Sequence, residues 1–258
     1  MSAGALMLPC EPLEGLPRAI PINTDAASID IWWWAYDSHM NWRKALSCLA
    51  QDERNRAEAF RFERDAVSFV AGRCLQRSVL SAYTGTPADE LVFTTGVNGK
   101  PTLVGGQESV IFNLSNAQGL VVLAIGSKCQ TVGIDAESLS ATIQATAASM
   151  ICSSAELSYL SRLRGEAHQS ALLAFWVLKE SYLKAKGIGL GQALDQITVR
   201  LDPETQEIRV DDDVIHATPC QHRLFLAPRG HLVAVSVATD QAKLLFRQHV
   251  MPDPDDFQ

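Results

Sequence analysis

In Val132-Gly133-Ile134-Asp135-Ala136-Glu137 a hydrophobic run ends in two acids at i and i+2. Side chains alternate along a strand, so Asp135 and Glu137 share one face. Two carboxylates that close repel unless a cation, a proton or solvent separates them. Hard oxygen donors in this arrangement suit Mg²⁺, which one or two carboxylates hold together with substrate phosphate. A solvated strand end carrying ordinary surface acids would read the same way.

A second cluster runs from Phe175 to Gly187 as FWVLKESYLKAKG. Glu180 and Lys184 are four apart and so neighbours on one helix face, with Lys179 flanking it. Phe175, Leu178 and Tyr182 line the opposite, buried side. Glu–Lys at this spacing is also the commonest surface pair on any helix. A third set is the turn Asn98-Gly99-Lys100-Pro101, where Pro101 stiffens Lys100, followed by Phe112-Asn113-Leu114-Ser115-Asn116, a strand ending in small polar groups. A fourth is the charged stretch Asp52-Glu53-Arg54-Asn55-Arg56, then Arg64-Asp65-Ala66 and Ala71-Gly72-Arg73. Each alone reads as a turn or a solvated helix face.

The elements that must position these residues follow from pattern. Ile29–Tyr36 (IDIWWWAY) reads as a buried strand. Residues 41–60 and 65–84 keep a helical period. Leu91–Thr95, Val110–Leu114, Leu120–Ile125 and Thr131–Ala136 read as strands. Residues 153–163 read as a short helix with Ser153 as N-cap and Glu156 completing a capping box. Residues 168–186 form a long helix stopped by Gly187. Short strands follow at 195–200, 206–210, 222–226 and 231–238. Residues 1–27 read as an irregular lead-in, 28–130 and 131–245 as two α+β halves, and 246–258 as a disordered tail. Phe69–Thr94 overlays Phe175–Arg200 without a gap at an offset of 106, each reading helix, Gly-containing break, then a strand opened by Asp. This suggests two similar halves with a site between them, a common place for a ligand.

The 258 residues suffice for one large domain or two small ones. With 47% hydrophobic and 20% charged residues the composition is that of a soluble globular protein. A net charge of −7 and a pI of about 5.4 argue against a general nucleic-acid or anionic-membrane binder. Cys10, Cys48, Cys74, Cys129, Cys152 and Cys220 form no Cys-x-x-Cys pair, and the histidines form no His-x-x-x-His pair. The thiols read as reduced core residues of a cytoplasmic protein. The N-terminus lacks the basic region of a signal peptide, and no apolar run is long enough to span a bilayer.

Taken together and in this order, the clusters resemble the 4'-phosphopantetheinyl transferase family, of the large two-lobed type that activates peptide and polyketide synthetases and fatty-acid carrier proteins. The family pattern Gly-Ile-Asp-x-Glu is met by Gly133-Ile134-Asp135-Ala136-Glu137, and Trp-x-x-Lys-Glu-Ser/Ala-x-x-Lys by Trp176 through Lys184. Gly99-Lys100-Pro101, Phe112-Asn113-Leu114-Ser115, the Arg64 and Gly72 segments and Gly187-Ile188-Gly189-Leu190 add to the likeness, which spans residues 29–238. It implies an α+β fold of two pseudo-symmetric subdomains with coenzyme A (CoA) in the cleft between them. It implies Mg²⁺, or alternatively Mn²⁺, on Asp135, Glu137 and Glu180. It puts Lys184 at the reacting pyrophosphate, Lys179 at a second pyrophosphate contact, and Arg56, Lys100, Pro101, Ser115 and Asn116 at the nucleotide end, where the 3'-phosphate lies. The family usually has His where this chain has Asn116, which implies weaker CoA binding or tolerance of dephospho-CoA. Near Ser68 some members carry Arg, and Arg73 stands in.

The implied reaction moves 4'-phosphopantetheine from CoA onto a serine of an acyl, peptidyl or aryl carrier protein and releases adenosine 3',5'-bisphosphate. Glu180, directly or through a metal-bound water, accepts the serine proton, and Lys184 stabilises the leaving group. The implied protein is a cytoplasmic monomer with neither nucleic-acid nor membrane partner. An acidic enzyme cannot attract acidic carriers by bulk charge, so docking needs a local patch, placed at residues 138–152 with Ile143, Met150 and Ile151. The rival readings are a non-catalytic CoA-binding relative and a Mg²⁺-dependent pyrophosphohydrolase acting on CoA with water.

Overall fold

The computed structural model describes residues 27–96, 98–104, 110–189, 193–202, 207–212 and 219–251. Residues 1–26, Val97 of the Gly96–Gly99 turn, Leu190 of the glycine motif, Gln206 at the head of the strand expected over 206–210 and the tail beyond Met251 lie outside them. The described chain is α+β and falls into two compact units, 27–129 with 241–251, and 130–240.

In the first unit, β1 (Ser28–Ala35) leads through a 3₁₀ helix (Trp42–Cys48) and α1 (Gln51–Glu58) to α2 (Glu63–Thr84). A one-turn 3₁₀ helix (Ala88–Glu90), the hairpin β2 (Phe93–Thr95) and β3 (Pro101–Leu103), then β4 (Ile111–Ala117) and β5 (Leu120–Ser127) complete it. In the second unit, β6 (Thr131–Ser138) leads through α3 (Ala145–Ile151) and α4 (Ser154–Leu160) to α5 (Gly165–Lys186). A one-turn 3₁₀ helix (Leu194–Gln196), the hairpin β7 (Ile197–Leu201) and β8 (Ile208–Asp212), then β9 (Cys220–Ala227) and β10 (His231–Ala238) follow. The plan repeats element by element. Both long helices have 22 residues and both end on a left-handed glycine, Gly85 and Gly187, as helix C-termini favour.

The gapless overlay is corrected by four residues. The 3₁₀ turns at Ala88 and Leu194 are 106 apart, but the helix starts, Glu63 and Gly165, are 102 apart. The expected disordered tail is also corrected over its first residues. The strand β11 (Leu245–Val250) pairs parallel with β1 and extends the first sheet to the order β11-β1-β5-β4. Asp30 of β1 is the clasp. It accepts from Arg247 Nε and Nη2 at 2.6 and 2.8 Å and lies 2.8 Å from His249 Nε2. Residues 138–152, to which the sequence reading gives no regular element, contain the helix α3.

The second sheet, β6-β10-β9, is antiparallel throughout. Helix α5 lies on the face that carries Gly133, Asp135 and Glu137. A Cβ added to Gly133 would overlap the backbone of Ser181 and Ala185, so glycine alone lets the helix come this close. Leu172, Leu173, Phe175, Leu178 and Tyr182 of α5 pack with Ile151, Leu160, Ile197 and Leu232 in the core of this unit.

Lys179 is part of that core and not of a phosphate site. It has no exposed surface, and its three ammonium protons go to Ile151 O (2.7 Å), Glu156 Oε2 (2.6 Å) and Leu194 O (3.0 Å). Glu156 in turn accepts from the backbone N–H of Ser153 and of Val199, each at 2.7 Å. The expected pyrophosphate contact at Lys179 is therefore corrected: the residue ties α3, α4, α5 and β7 together, and a ligand would find no free proton on it. Lys179→Ala should lower unfolding free energy by about 3–5 kcal/mol, because it strands Glu156 as a buried charge. Lys179→Met with Glu156→Gln should recover most of that loss in the same urea melts. A pyrophosphate contact would behave oppositely, losing CoA affinity at unchanged melting temperature.

Candidate active site

The second unit gathers four of the expected residues. Asp135 and Glu137 project from one face of β6, two residues apart, toward α5, while Ile134 and Ala136 point to the other face and are buried. Helix α5 carries Glu180 and, one turn on, Lys184. Lys184 Nζ donates to Asp135 Oδ1 at 2.7 Å and to Ile134 O at 3.2 Å. The ion pair therefore runs from helix to strand, and not along the helix to Glu180 as a surface pair would.

Glu180 is left in an unusual state. Its Oε1 is buried and has no hydrogen-bond partner. Burial, and after it the charge of Asp135, holds the Glu180 carboxyl above the ordinary range, while Lys184 opposes this. Glu137 is displaced upward by the same two causes in the same order. Three acids thus answer to one neighbouring ammonium, and one buried carboxylate oxygen lacks a donor. Such a donor set fits a hard divalent cation. Among the described residues no three His, Cys, Asp or Glu side chains already converge at metal-holding distance.

The sequence reading missed a neighbouring apolar cavity of about 390 Å³. It is lined by Glu137, Ile143, Gln144, Ile151, Leu173 and Trp176, so one acid of the site opens onto it. The signal was present in Ile143, Ala147 and Ile151, spaced four apart. Ile151 itself is buried and unavailable as a surface contact, whereas Met150 is 73% exposed.

The remaining expected residues lie in the first unit. Arg56 stands over the Phe69 ring at 5.0 Å and Arg73 over the same ring at 5.8 Å. Both guanidiniums border a cavity of about 460 Å³ that Phe69, Gly99 and Pro101 also line. Arg73 is thereby grouped with Arg56, while Glu53 lies 3.5 Å from it. Lys100 ends the turn closed by Gly99 N–H to Gly96 O (3.0 Å), and Pro101 opens β3. Burial lowers the Lys100 ammonium to about 8.

Ser115 and Asn116 are consecutive in β4 and so face opposite sides of their sheet. Ser115 is buried; Asn116 turns to α2, where its Nδ2 donates to Ser68 O at 3.2 Å. Gly72 makes room for it, since a Cβ there would sit 2.9 Å from Asn116 Nδ2.

The sequence matches two family descriptions in tandem. Residues 33–128 match "4'-phosphopantetheinyl transferase, N-terminal", and residues 131–236 match "4'-phosphopantetheinyl transferase superfamily". The chain is 30% identical over 228 residues to the 4'-phosphopantetheinyl transferase HetI of Nostoc sp., covering 86% of this chain and 93% of that protein. It is 28% identical over 194 residues to the 4'-phosphopantetheinyl transferase Sfp of Bacillus subtilis, covering 75% and 84% respectively. A crystal structure of a holo-(acyl-carrier-protein) synthase from Bacillus anthracis in complex with CoA (3',5'-ADP) aligns with a TM-score of 0.37 at 22% identity, over 41% of this chain and 92% of that one. With two matched segments spanning most of the chain and a relative matched over nearly its full length, this protein belongs to the 4'-phosphopantetheinyl transferase family.

Proposed function

We propose that the chain transfers the 4'-phosphopantetheine arm of CoA to a serine hydroxyl of an apo carrier protein and releases adenosine 3',5'-bisphosphate. The observation that carries this reading is the buried, donor-less Oε1 of Glu180 beside the Asp135–Lys184 pair. Asp135, Glu137 and Glu180 would hold Mg²⁺. Bound there, the ion would supply charge neutralisation at the pyrophosphate.

The protein's own groups account for the rest. Glu180, with its carboxyl raised by burial, is suited to take the serine proton. Lys184 presents a compact positive charge that is already 28% exposed, and the leaving bisphosphate would draw it off Asp135. Phosphoryl transfer asks for little more than position and charge. In the first unit Arg56 and Lys100, with Arg73, offer cations for the nucleotide end. Ser115 and Asn116, on opposite faces of β4, would serve different parts of it. Exposed Met150 and Leu139, with the cavity beside Glu137, support carrier docking around residues 138–152. Among the described residues no helix is long and apolar enough to cross a membrane.

The deciding experiment is intact mass measurement of apo fatty-acid, polyketide and peptide carriers incubated with CoA, with Mg²⁺ and with EDTA. Transfer adds the phosphopantetheine mass, about 340 Da from the composition of the cofactor itself. Free phosphopantetheine with unmodified carriers would assign a hydrolase, and tight CoA binding without any mass change a non-catalytic relative.

Three outcomes are expected of the site. Lys184→Ala should cut kcat about 10²–10³-fold with a much smaller rise in KM for CoA, the pattern of a charge used at the transition state. Near-wild-type kcat would reduce the Asp135–Lys184 pair to a structural contact.

Lys100 gives a pH signature. Its ammonium is charged below about pH 8 and neutral above, and an anion favours the charged form. CoA affinity should therefore be full near pH 7 and fall as pH rises through 8 to 9, by up to about tenfold per unit. Calorimetric titration of wild type and Lys100→Arg checks this, the arginine flattening the curve.

Asn116→His should favour CoA over dephospho-CoA by about 1 kcal/mol more than wild type, the worth of one charge-assisted hydrogen bond. Equal discrimination by both proteins would remove position 116 from the 3'-phosphate.

A further inference from the structure

A buried polar chain joins the second sheet to α5, one step along the strands from the acids. Gly133, Ser236 and His222 lie in register across β6, β10 and β9. Asp135, Ala234 and Leu224, two residues along, form the next row on the same face. Above the first row, Ser181 of α5 reaches Ser236, Oγ to Oγ at 2.8 Å, and Ser236 Oγ lies 2.8 Å from His222 Nδ1. Ser181 Oγ also donates to Leu178 O at 2.9 Å. Ser181 and Ser236 have no exposed surface, and His222 is 3% exposed.

Proton inventory gives this chain a direction. Each hydroxyl carries one proton. Ser181 gives its proton to Leu178 O, so the Ser181–Ser236 bond needs the Ser236 proton. Ser236 then has only lone pairs for His222, and Nδ1 must carry the hydrogen. The order is His222 Nδ1–H to Ser236 Oγ–H to Ser181 Oγ–H to Leu178 O. Burial, with Lys186 and Arg223 behind it, lowers the His222 imidazole to about 4, so the ring is neutral at physiological pH with Nε2 bare.

Such a chain answers a need created by Gly133. At Gly133 the helix rests on the strand with no side chain between them, so nothing interdigitates at the point nearest the acids. Apolar packing is non-directional, whereas the Ser236–Ser181 bond crosses from sheet to helix with a direction, and its neighbours at His222 and Leu178 O fix how the two hydroxyls point. We propose that the His222–Ser236–Ser181 chain is a positioning device that sets the phase of α5, holding Glu180, next to Ser181, against Asp135, two residues along from Gly133. This rests on the transferase reading above.

Two kinds of measurement test it. The first is ¹⁵N NMR of histidine-labelled wild-type protein, which reads the tautomer without any reaction. Protonated Nδ1 and bare Nε2 at His222 are expected; protonation at Nε2 would overturn the chain whatever the activity. The second compares Ser236→Ala, Ser181→Ala, His222→Leu and His222→Asn, in which the asparagine amide can stand where Nδ1–H stood. Mn²⁺ affinity by electron paramagnetic resonance and carrier modification over a Mg²⁺ series are measured for each, with circular dichroism and thermal melts to confirm folding.

Ser236→Ala, Ser181→Ala and His222→Leu should weaken metal affinity and lower kcat about tenfold, the effect of losing a group that orients a ligand. Their KM for CoA should stay within twofold of wild type, and His222→Asn should restore kcat to within about threefold. Folded Ser236→Ala or Ser181→Ala with wild-type metal affinity would overturn the proposal and leave a purely structural contact. If wild type modified no carrier at all, the transferase reading would fail, while the tautomer and Mn²⁺ measurements would still decide for or against the positioning chain.

Discussion

The close contact of α5 with β6 at Gly133 is the constraint on which the rest of the second unit depends. With any other residue there, the backbone of Ser181 and Ala185 would have to move away. Because the helix can settle so low, Lys184 reaches Asp135 at 2.7 Å and Glu180 is covered well enough to leave one oxygen without a donor. The same contact lacks the interdigitating side chains that normally anchor a helix on a sheet. Directional bonds take their place around it. Lys179 ties the outer side of the helix to α3 and α4, the serine pair ties its inner side to β10, and Thr131 Oγ1 donates to Ala185 O at 2.6 Å near its end.

Lys179 and Lys184 of α5 show how one chemistry serves opposite ends. Lys179 is sealed from solvent and fully satisfied, so its charge is an internal brace. Lys184, five residues on, is part-exposed beside an excess of carboxylate. Burial, and after it the charge of Asp135, raises Glu137 and Glu180 above their ordinary values. Such a cluster costs folding free energy while no cation balances it. That cost is the familiar exchange of stability for a prepared site.

Much of this was legible in the sequence because it is periodic. Alternation put Asp135 and Glu137 on one strand face, and the helical period put Glu180 and Lys184 on one helix face. The Ser153–Glu156 capping box and the Gly187 stop are local, and both stand where the pattern put them. What was not legible is non-local. The acceptors that claim Lys179 include the backbone carbonyls of Ile151 and Leu194, which no residue type announces. The partner of β11 is β1, more than two hundred residues earlier, so RQH before Val250 read as a solvated tail until Asp30 supplied its counter-charge. Helix α3 is rich in Ala, Ser and Thr, and the sequence reading gives it no element. Arg73 by itself reads as part of a solvated helix face and gains a role only through the resemblance; the Phe69 ring is what sets it beside Arg56.

The repeated plan of the two units separates what the fold requires from what the chemistry requires. β1 and β6 each have eight residues, and α2 and α5 each end on a left-handed glycine. Counted from the strand start, the places of Asp135 and Glu137 are taken in β1 by Trp32 and Trp34. Counted back from the glycine, the places of Glu180 and Lys184 are taken in α2 by Ser78 and Ala82. In the first unit the two strand places build core: Trp32 and Trp34 are almost wholly buried among residues of α2, and Trp32 Nε1 donates to Tyr83 Oη at 3.3 Å. The third place of the strand, Gly133 in β6, is Asp30 in β1, where it clasps β11. One backbone plan is thus met by tryptophan packing in one unit and by three acids and a lysine in the other. Packing demands alone do not call for carboxylates at those places, which favours the ligand-holding role proposed for Asp135, Glu137 and Glu180.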